Sequence, residues 1–230
     1  VIATLFSEKE GKITVIAKGA RKPKSQFAGQ LEPMNILNIN YFNKQGRNIQ
    51  LLQNSSFLED SSPLRENFEI LNYGLTIVEI IDKLLQEHYS DPIIYRLFKK
   101  TFNALKNPNM NANLIFSFFL LQLSIRLGFM PELKKCSNCN DSLKNAKFND
   151  HNGELLCLNC SDAISIKISE KTMVLLQSLL ITHIDKLNEL QYNNHNLIEI
   201  NSFLDYYLNF HLEGMSKAKS LKILRELING

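Results

Sequence analysis

Apolar residues recur at every second position near the start of the chain and at every third or fourth position through the rest. Ile13, Val15 and Ala17 alternate with Thr14, Ile16 and Lys18, which predicts a strand. Val1 to Phe6 predicts another strand, and Met34 to Phe42 a third, with Ile36, Leu37 and Ile39 inside it. Asn43-Lys44-Gln45-Gly46 is a turn signal, and Asn48 to Gln53 reads as the returning strand. Several short strands joined by turns, all before residue 58, predict a small β-barrel.

At Ser61-Ser62-Pro63 the period changes to that of a helix. Ser62 is placed to N-cap it, with Pro63 at the first position, where a missing N–H costs nothing. Leu71, Leu75, Val78, Asp82 and Leu85 mark the expected inward face, with Asp82 as a polar slip. Asp91-Pro92 opens a further helix that ends before Asn107-Pro108-Asn109. The helix around Leu114 stops at Gly128, with Pro131 beyond it. Ser169 is placed to cap a helix running through Leu180. Ile200, Phe203, Leu204, Tyr207, Leu208, His211 and Leu212 form a continuous helical stripe, which Gly214 ends. A last short helix covers about Ala218 to Ile228.

Between two of these helices stand the four cysteines of the chain, Cys136 and Cys139, then Cys157 and Cys160, with seventeen residues between the pairs. A two-residue gap lets one tight turn aim two sulfurs at a common point. Four thiolates then close a tetrahedron around a single divalent ion, for which zinc is the best match. A closed four-sulfur site is structural, because no coordination position is left for water or substrate. Two disulfides are an alternative that needs an oxidising compartment. A redox dithiol is another, although no thioredoxin-like βαβ pattern surrounds the cysteines. His151 lies between the pairs and reads as a surface loop residue.

Charge adds an asymmetry. Up to residue 57 there are eight Lys/Arg against three Asp/Glu, and beyond it eighteen against twenty. A cationic N-terminal module on a near-neutral scaffold points to a polyanionic partner. From Gly11 to Leu31 the chain carries Lys12, Lys18, Arg21, Lys22 and Lys24 and no acid. Gly19 and Pro23 break regular structure there, so the cations enter a loop. Such a loop on a small barrel suits phosphate-backbone contact, which is salt-sensitive and blind to sequence. A solvated charged loop is the competing reading. Phe27 and Tyr41 are suited to stacking on unpaired bases or to the core, the more usual place for either.

No secretory signal is visible. The most apolar stretch, Leu114 to Met130, is interrupted by Gln122, Ser124 and Arg126 and reads as a buried helix rather than a membrane span. With cysteines in metal spacing, the expected compartment is the cytoplasm. Phosphate-binding, zinc-protease and serine-hydrolase signatures are missing, and carboxylates are scattered, so no catalytic residue is assigned and a non-enzyme is expected. His211, on an apolar stripe, reads as a satisfied core histidine.

The segment Ala17-Lys18-Gly19-Ala20-Arg21-Lys22-Pro23-Lys24-Ser25-Gln26-Phe27-Ala28-Gly29-Gln30-Leu31-Glu32-Pro33 resembles the signature of the RecO family of bacterial DNA repair and recombination mediators. Leu5-Phe6-Ser7 with Gly11-Lys12-Ile13 resembles the strand and turn ahead of that signature. The cysteine ribbon sits where many members carry one, and Phe210-His211-Leu212-Glu213-Gly214 with Lys217-Ala218-Lys219-Ser220 resembles the family's C-terminal end. Two turn positions depart from the pattern: Asn140 stands where Gly often follows the second cysteine, and Asn152-Gly153 replaces a Gly-Gly pair. The resemblance also implies a first strand ahead of Leu5, most of which is absent from this sequence.

The fold class expected is therefore α+β: an N-terminal OB-fold-like small β-barrel at 1–57 and an all-α helical domain at 58–230, with a four-cysteine zinc ribbon inserted at 133–163. The resemblance implies binding of single- and double-stranded DNA, strand annealing, and recognition of the acidic tail of the single-strand-binding protein SSB. It also implies partnership with RecR to load recombinase, and a nucleoid-associated place in the cytoplasm. Lys18, Arg21, Lys22 and Lys24 match the family's basic loop and are the expected DNA contacts. Lys217 and Lys219 match its C-terminal motif and extend that expectation, against a plain reading as solvated cations near helix ends. A zinc-ribbon RNA-binding protein and a helical protein-interaction adaptor are the alternatives.

Overall fold

The computed structural model describes residues 1–59, 61–161 and 166–229. Strand β1 (Ile2–Ser7) and β2 (Gly11–Ile16) form an antiparallel hairpin, β3 is Ile36–Phe42 and β4 is Ile49–Glu59. Their order in the sheet is β1-β2-β4-β3. The β2–β4 pair is parallel, with Thr14 opposite Ile49, and the other two pairs are antiparallel. Among the described residues β1 and β3 are the edges of this OB-fold-like sheet, so the expected small barrel is met as an open four-stranded sheet rather than a closed ring. Register shifts at Ile36/Leu37 and Asn40/Tyr41 bend β3 and β4 over one another. The alternation read in the sequence holds: Ile13, Val15 and Ala17 are buried, and with Phe27 and Leu52 they make a separate small core. Met34 lies ahead of β3 rather than in it. Its φ is +72°, and its side chain joins the helical core.

The helical body comprises α1 (Pro63–Glu66), α2 (Phe68–Leu84), α3 (Pro92–Leu105), α4 (Ala112–Arg126), α5 (Glu170–Ile181), α6 (Asn194–His211) and α7 (Lys219–Asn229), with 3-10 turns at Ile184–Glu189 and Met215–Lys217. Helix α4 is the axis of this body. Its buried residues, from Ala112 to Ser124, lie on every side of the helix, because α2, α3, α5 and α6 all pack against it. Among the described residues no helix is long and apolar enough to cross a membrane.

Three local expectations are corrected. Ser62 is itself helical (φ −52°, ψ −38°) and makes no side-chain cap hydrogen bond. The chain breaks at Asn67, whose side chain caps α2 by accepting from Glu69 N–H and Ile70 N–H at 2.9 and 3.1 Å. The inward face of α2 is Tyr73, Thr76, Ile77, Ile80 and Ile81, turned from the stripe through Asp82, although Leu85 at the end of that stripe is buried as expected and Leu71 and Val78 pack partly against the core. Asp82 stays at the surface, where it receives Lys12. Ser169 stands at the start of α5 but makes no side-chain cap hydrogen bond. Glu199 of α6 supplies the acceptor there, taking the Ser169 N–H at 3.1 Å and its hydroxyl at 2.6 Å.

The hairpin turn between β1 and β2 fastens the sheet to the helices. Phe6 packs against Tyr95 and Phe98 with centroids 5.9 and 6.0 Å apart. Gly11 has φ +67°, and a Cβ there would lie 2.1 Å from Tyr89 O, so only glycine allows this approach. Lys99 of α3 reaches Glu59 at the end of β4 at 2.8 Å, which ties the last strand to the helices.

Candidate metal centre and nucleic-acid interface

The ribbon is the sheet β6 (Glu154–Leu156), β5 (Ala146–Asn149), β7 (Lys167–Ile168), antiparallel throughout, with a cysteine turn on either side of β5 and β6. In the first turn Cys136 N–H donates to Asp141 O at 2.8 Å and Asn140 N–H to Cys136 O at 2.9 Å. Asn140 holds φ +62°, a left-handed corner that Asn tolerates in place of Gly. In the second turn Cys160 N–H donates to Cys157 O at 3.2 Å. Between the turns, Cys157 N–H donates to Cys136 Sγ at 3.3 Å.

The four Sγ atoms lie within 4.8 Å of one another, with Cys139 and Cys157 3.8 Å apart. Sulfurs at ~2.3 Å from a central ion have a tetrahedral edge of ~3.8 Å. All four cysteines are free, so the disulfide alternative is not what this structure holds. Burial pushes the Cys136 thiol up, but the N–H groups of Cys139, Cys157 and Asn138 outweigh it and bring it down to about 6. Cys139 is lowered by the Asp141 N–H and raised more by desolvation and the three neighbouring sulfurs, to about 12. Thiolates this close cannot all ionise without a cation among them. The site is positioned to hold a metal ion of the sulfur-preferring kind. His151 is no part of it, since its side chain is 88% exposed.

The ribbon is seated on α6. Phe148 packs on Phe203 and Tyr207 at 6.1 and 6.4 Å. His211 Nε2 lies 3.0 Å from Gly153 O, which satisfies the histidine as expected. Gly153 has φ +72°, and a Cβ there would sit 2.3 Å from the Phe210 ring. Leu143, Phe148, Leu155 and Ile168 belong to the same core as α4 and α6, so the metal turns are built into the body of the protein.

The basic loop is a run of reverse turns. Lys22 N–H donates to Gly19 O at 3.0 Å, Ser25 N–H to Lys22 O at 3.1 Å and Ala28 N–H to Ser25 O at 3.1 Å. Phe27 is buried in the small core and anchors the loop, which removes it as a stacking face. Tyr41 is half-buried against the same core, and burial, then Glu10, raises its phenol. Gln26 Nε2 donates to Gln53 O at 2.9 Å, tying the loop to β4. Lys18, Arg21, Lys22 and Lys24 are exposed, and none has an ion-pair partner among the described residues. Lys24 sits at φ +61°. Lys12 differs: its Nζ donates to Asp82 O at 2.7 Å, and its side chain is only 12% exposed.

Lys217 and Lys219 are exposed on a different support. Lys219 N–H donates to Glu79 of α2 at 3.0 Å, and Lys83 O lies 3.4 Å from where a Cβ on Gly214 would be. Exposed Lys222 follows Lys219 at i+3 on α7, and exposed Lys83 of α2 joins their neighbourhood, which no sequence spacing signals. Among the described residues no hydrogen bond or ion pair links this set to the basic loop.

Comparison with known proteins covers both halves of this architecture. Residues 1–60 match the family model described as Recombination protein O N terminal, and residues 65–222 match Recombination protein O C terminal. A DNA repair protein RecO of Oceanobacillus iheyensis is 30% identical over 229 residues, covering 98% of this chain and 86% of that protein. One of Alkaliphilus metalliredigens is 27% identical over 226 residues, covering 97% and 91%. One of Salinibacter ruber is 34% identical over 134 residues, covering 58% and 52%. With a basic β region, a helical body and a four-sulfur ribbon in one chain, and both family models matched in order, the chain belongs to the Recombination protein O family.

Proposed function

We propose that this protein is a DNA-binding recombination mediator of the RecF-pathway type. In this reading it binds single- and double-stranded DNA, anneals complementary strands and helps load recombinase on SSB-coated DNA. The observation that carries the reading is the exposed loop of Lys18, Arg21, Lys22 and Lys24, all one sign and all without ion-pair partners among the described residues. Cations in this state are available to displace counterions from phosphates. Annealing then needs no catalytic group, because screening two phosphate chains leaves the base edges free to pair. Lys217 and Lys219 extend the cationic surface at the other support. The names of the relatives, DNA repair protein RecO, favour DNA over RNA as the polyanion.

The four cysteines hold one structural zinc ion, a reading supported by a sulfur-only donor set and a 3.8 Å edge. Residues 1–57 serve as the DNA-binding unit, 58–230 as the helical unit and 133–163 as its zinc ribbon. The protein partners in this reading are the SSB tail and RecR, and the setting is the nucleoid-associated cytoplasm. The test is annealing of two complementary oligonucleotides coated with the cognate SSB, with and without this protein. Acceleration through the coat is the expected result; no acceleration would remove the mediator reading.

A further inference from the structure

A cleft of about 320 Å³ opens where the first turns of α2, α4 and α6 meet, away from both the cysteines and the basic loop. Its volume lies at the low end of pockets that hold small molecules, roughly 300–1,000 Å³. Glu69 comes from the first turn of α2, Asn111 and Asn113 from the start of α4, and Asn194 from the first residue of α6. Leu197 and Leu224 supply an apolar wall.

The polar groups of this cleft are largely unspent. Asn111 uses its Oδ1 to accept Leu114 N–H at 2.9 Å, and Asn113 uses its Oδ1 to accept from Asn201 at 2.8 Å, so both keep their NH₂ donors. Asn194 and Glu69 have no side-chain partner among the described residues. Most telling is Tyr73. It is 1% exposed and lines the cleft, yet its hydroxyl has no hydrogen-bond partner among the described residues. The hydroxyl is not sealed off: it reaches the cleft and so offers a bound molecule a donor. Burial, then Glu69, raises that phenol above its ordinary range, so it is a donor at any physiological pH.

The charge pattern selects the ligand. Three helix N-termini and the amide NH₂ groups repel a cation, and the Glu69 carboxylate repels an anion. What remains is a neutral molecule with acceptors for the amides and phenol, an N–H donor for Glu69, and a flat apolar face for the leucines. We propose that this cleft binds a neutral heterocyclic base carrying an exocyclic amino group. Asn side chains pair with adenine edges and carboxylates accept from cytosine amino groups by the same kind of contact, and proteins that extrude a base combine such edge contacts with apolar side chains against its face. Supply of the base by a bound strand rests on the DNA reading above; recognition of the base itself does not.

The test is titration of the ¹⁵N-labelled full chain with free deoxyadenosine, deoxycytidine and deoxyguanosine, with thymidine as the control that lacks the amino group. The expected result is a saturable shift of the side-chain amide signals of Asn111, Asn113 and Asn194 with at least one amino-bearing nucleoside. Binding should weaken about tenfold in Tyr73→Phe, the size of one buried hydrogen bond. That change keeps the ring that packs 5.5 Å from Phe116. Asn194→Asp, at an exposed first helical position, should weaken it comparably at an unchanged melting temperature. No saturable shift with the three amino-bearing nucleosides, an equal response to thymidine, or unweakened binding in both variants would overturn the proposal. Titration with a short single strand completes the design. Loss of strand binding in Lys22→Ala/Lys24→Ala with nucleoside shifts intact separates the cleft from the loop. A wild type that binds nucleosides but no strand would sink the DNA reading and leave the cleft standing.

Discussion

Glu79 Oε2 on α2 accepts the Ser220 backbone N–H at 2.7 Å, while its other oxygen accepts the Lys219 N–H at 3.0 Å. The carboxylate therefore caps α7 from another helix, where an anion also meets the positive end of the dipole. Desolvation raises the Glu79 carboxyl, and the Ser220 and Lys219 donors with Lys83 outweigh it, so it ends below its ordinary value. Glu79→Ala is expected to cost about 1–2 kcal/mol and to raise amide exchange along α7 first, while α4 stays protected. Uniform exchange across the protein would mean that the contact does not hold α7.

Asp91 is the corresponding joint at α3. Its Oδ1 accepts Ile93 N–H and Ile94 N–H at 2.8 and 3.1 Å, and its Oδ2 accepts Arg126 Nε at 2.6 Å. Burial raises the carboxyl, and Arg126 and the two N–H groups bring it below its ordinary value. A pKa lowered by folding contributes stability that is present above the unfolded value of about 3.9 and is lost as pH falls toward the folded one. The melting temperature of the wild type should fall more steeply between about pH 5 and pH 3 than that of Asp91→Asn, which keeps an oxygen for the cap but has no charge to lose. Parallel curves would show that Asp91 does not couple folding to acid.

Metal removal is expected to loosen more than the ribbon, because Phe148 and Leu155 share the core of α4 and α6. Cys136→Ser should lose bound metal and lower the melting temperature by about 2–4 °C for each kcal/mol lost. A fully stable, metal-free variant in calorimetry and metal analysis would contradict the structural role.

The two kinds of lysine in the N-terminal region should separate experimentally. Lys22→Ala/Lys24→Ala should reduce the slope of log affinity against log salt by about 0.7 per lost phosphate contact on a single strand. Lys12→Ala should leave that slope unchanged and lower stability, since Lys12 Nζ is held by Asp82. An unchanged slope in the first variant would show that the loop does not touch phosphate.

Much of this was written in local spacing. Alternation at Ile13, Val15 and Ala17, the stripe from Ile200 to Leu212 and the Asp91-Pro92 start each depend on neighbours within one element. The cysteine pairs were legible for the same reason, since a tight turn fixes each pair. The inward face of α2 was not. Leu71, Leu75 and Val78 satisfy helical spacing as well as Tyr73, Ile77 and Ile80 do, but the first set borders the polar side that carries Glu79, Asp82 and Lys83, and packing against α4 and α7 buries the second.

The sequence by itself determined the order of a β region, a helical body and a four-sulfur ribbon, together with an unbalanced cationic loop. These follow from side-chain period, turn chemistry and charge within a few residues. Only the tertiary structure decided which cations are spent and which are free, which carboxylate caps which helix, and that Glu69, Tyr73 and Asn194 share a cleft. Those facts depend on contacts between residues up to 141 positions apart, and such contacts are set by how whole elements pack rather than by any local pattern.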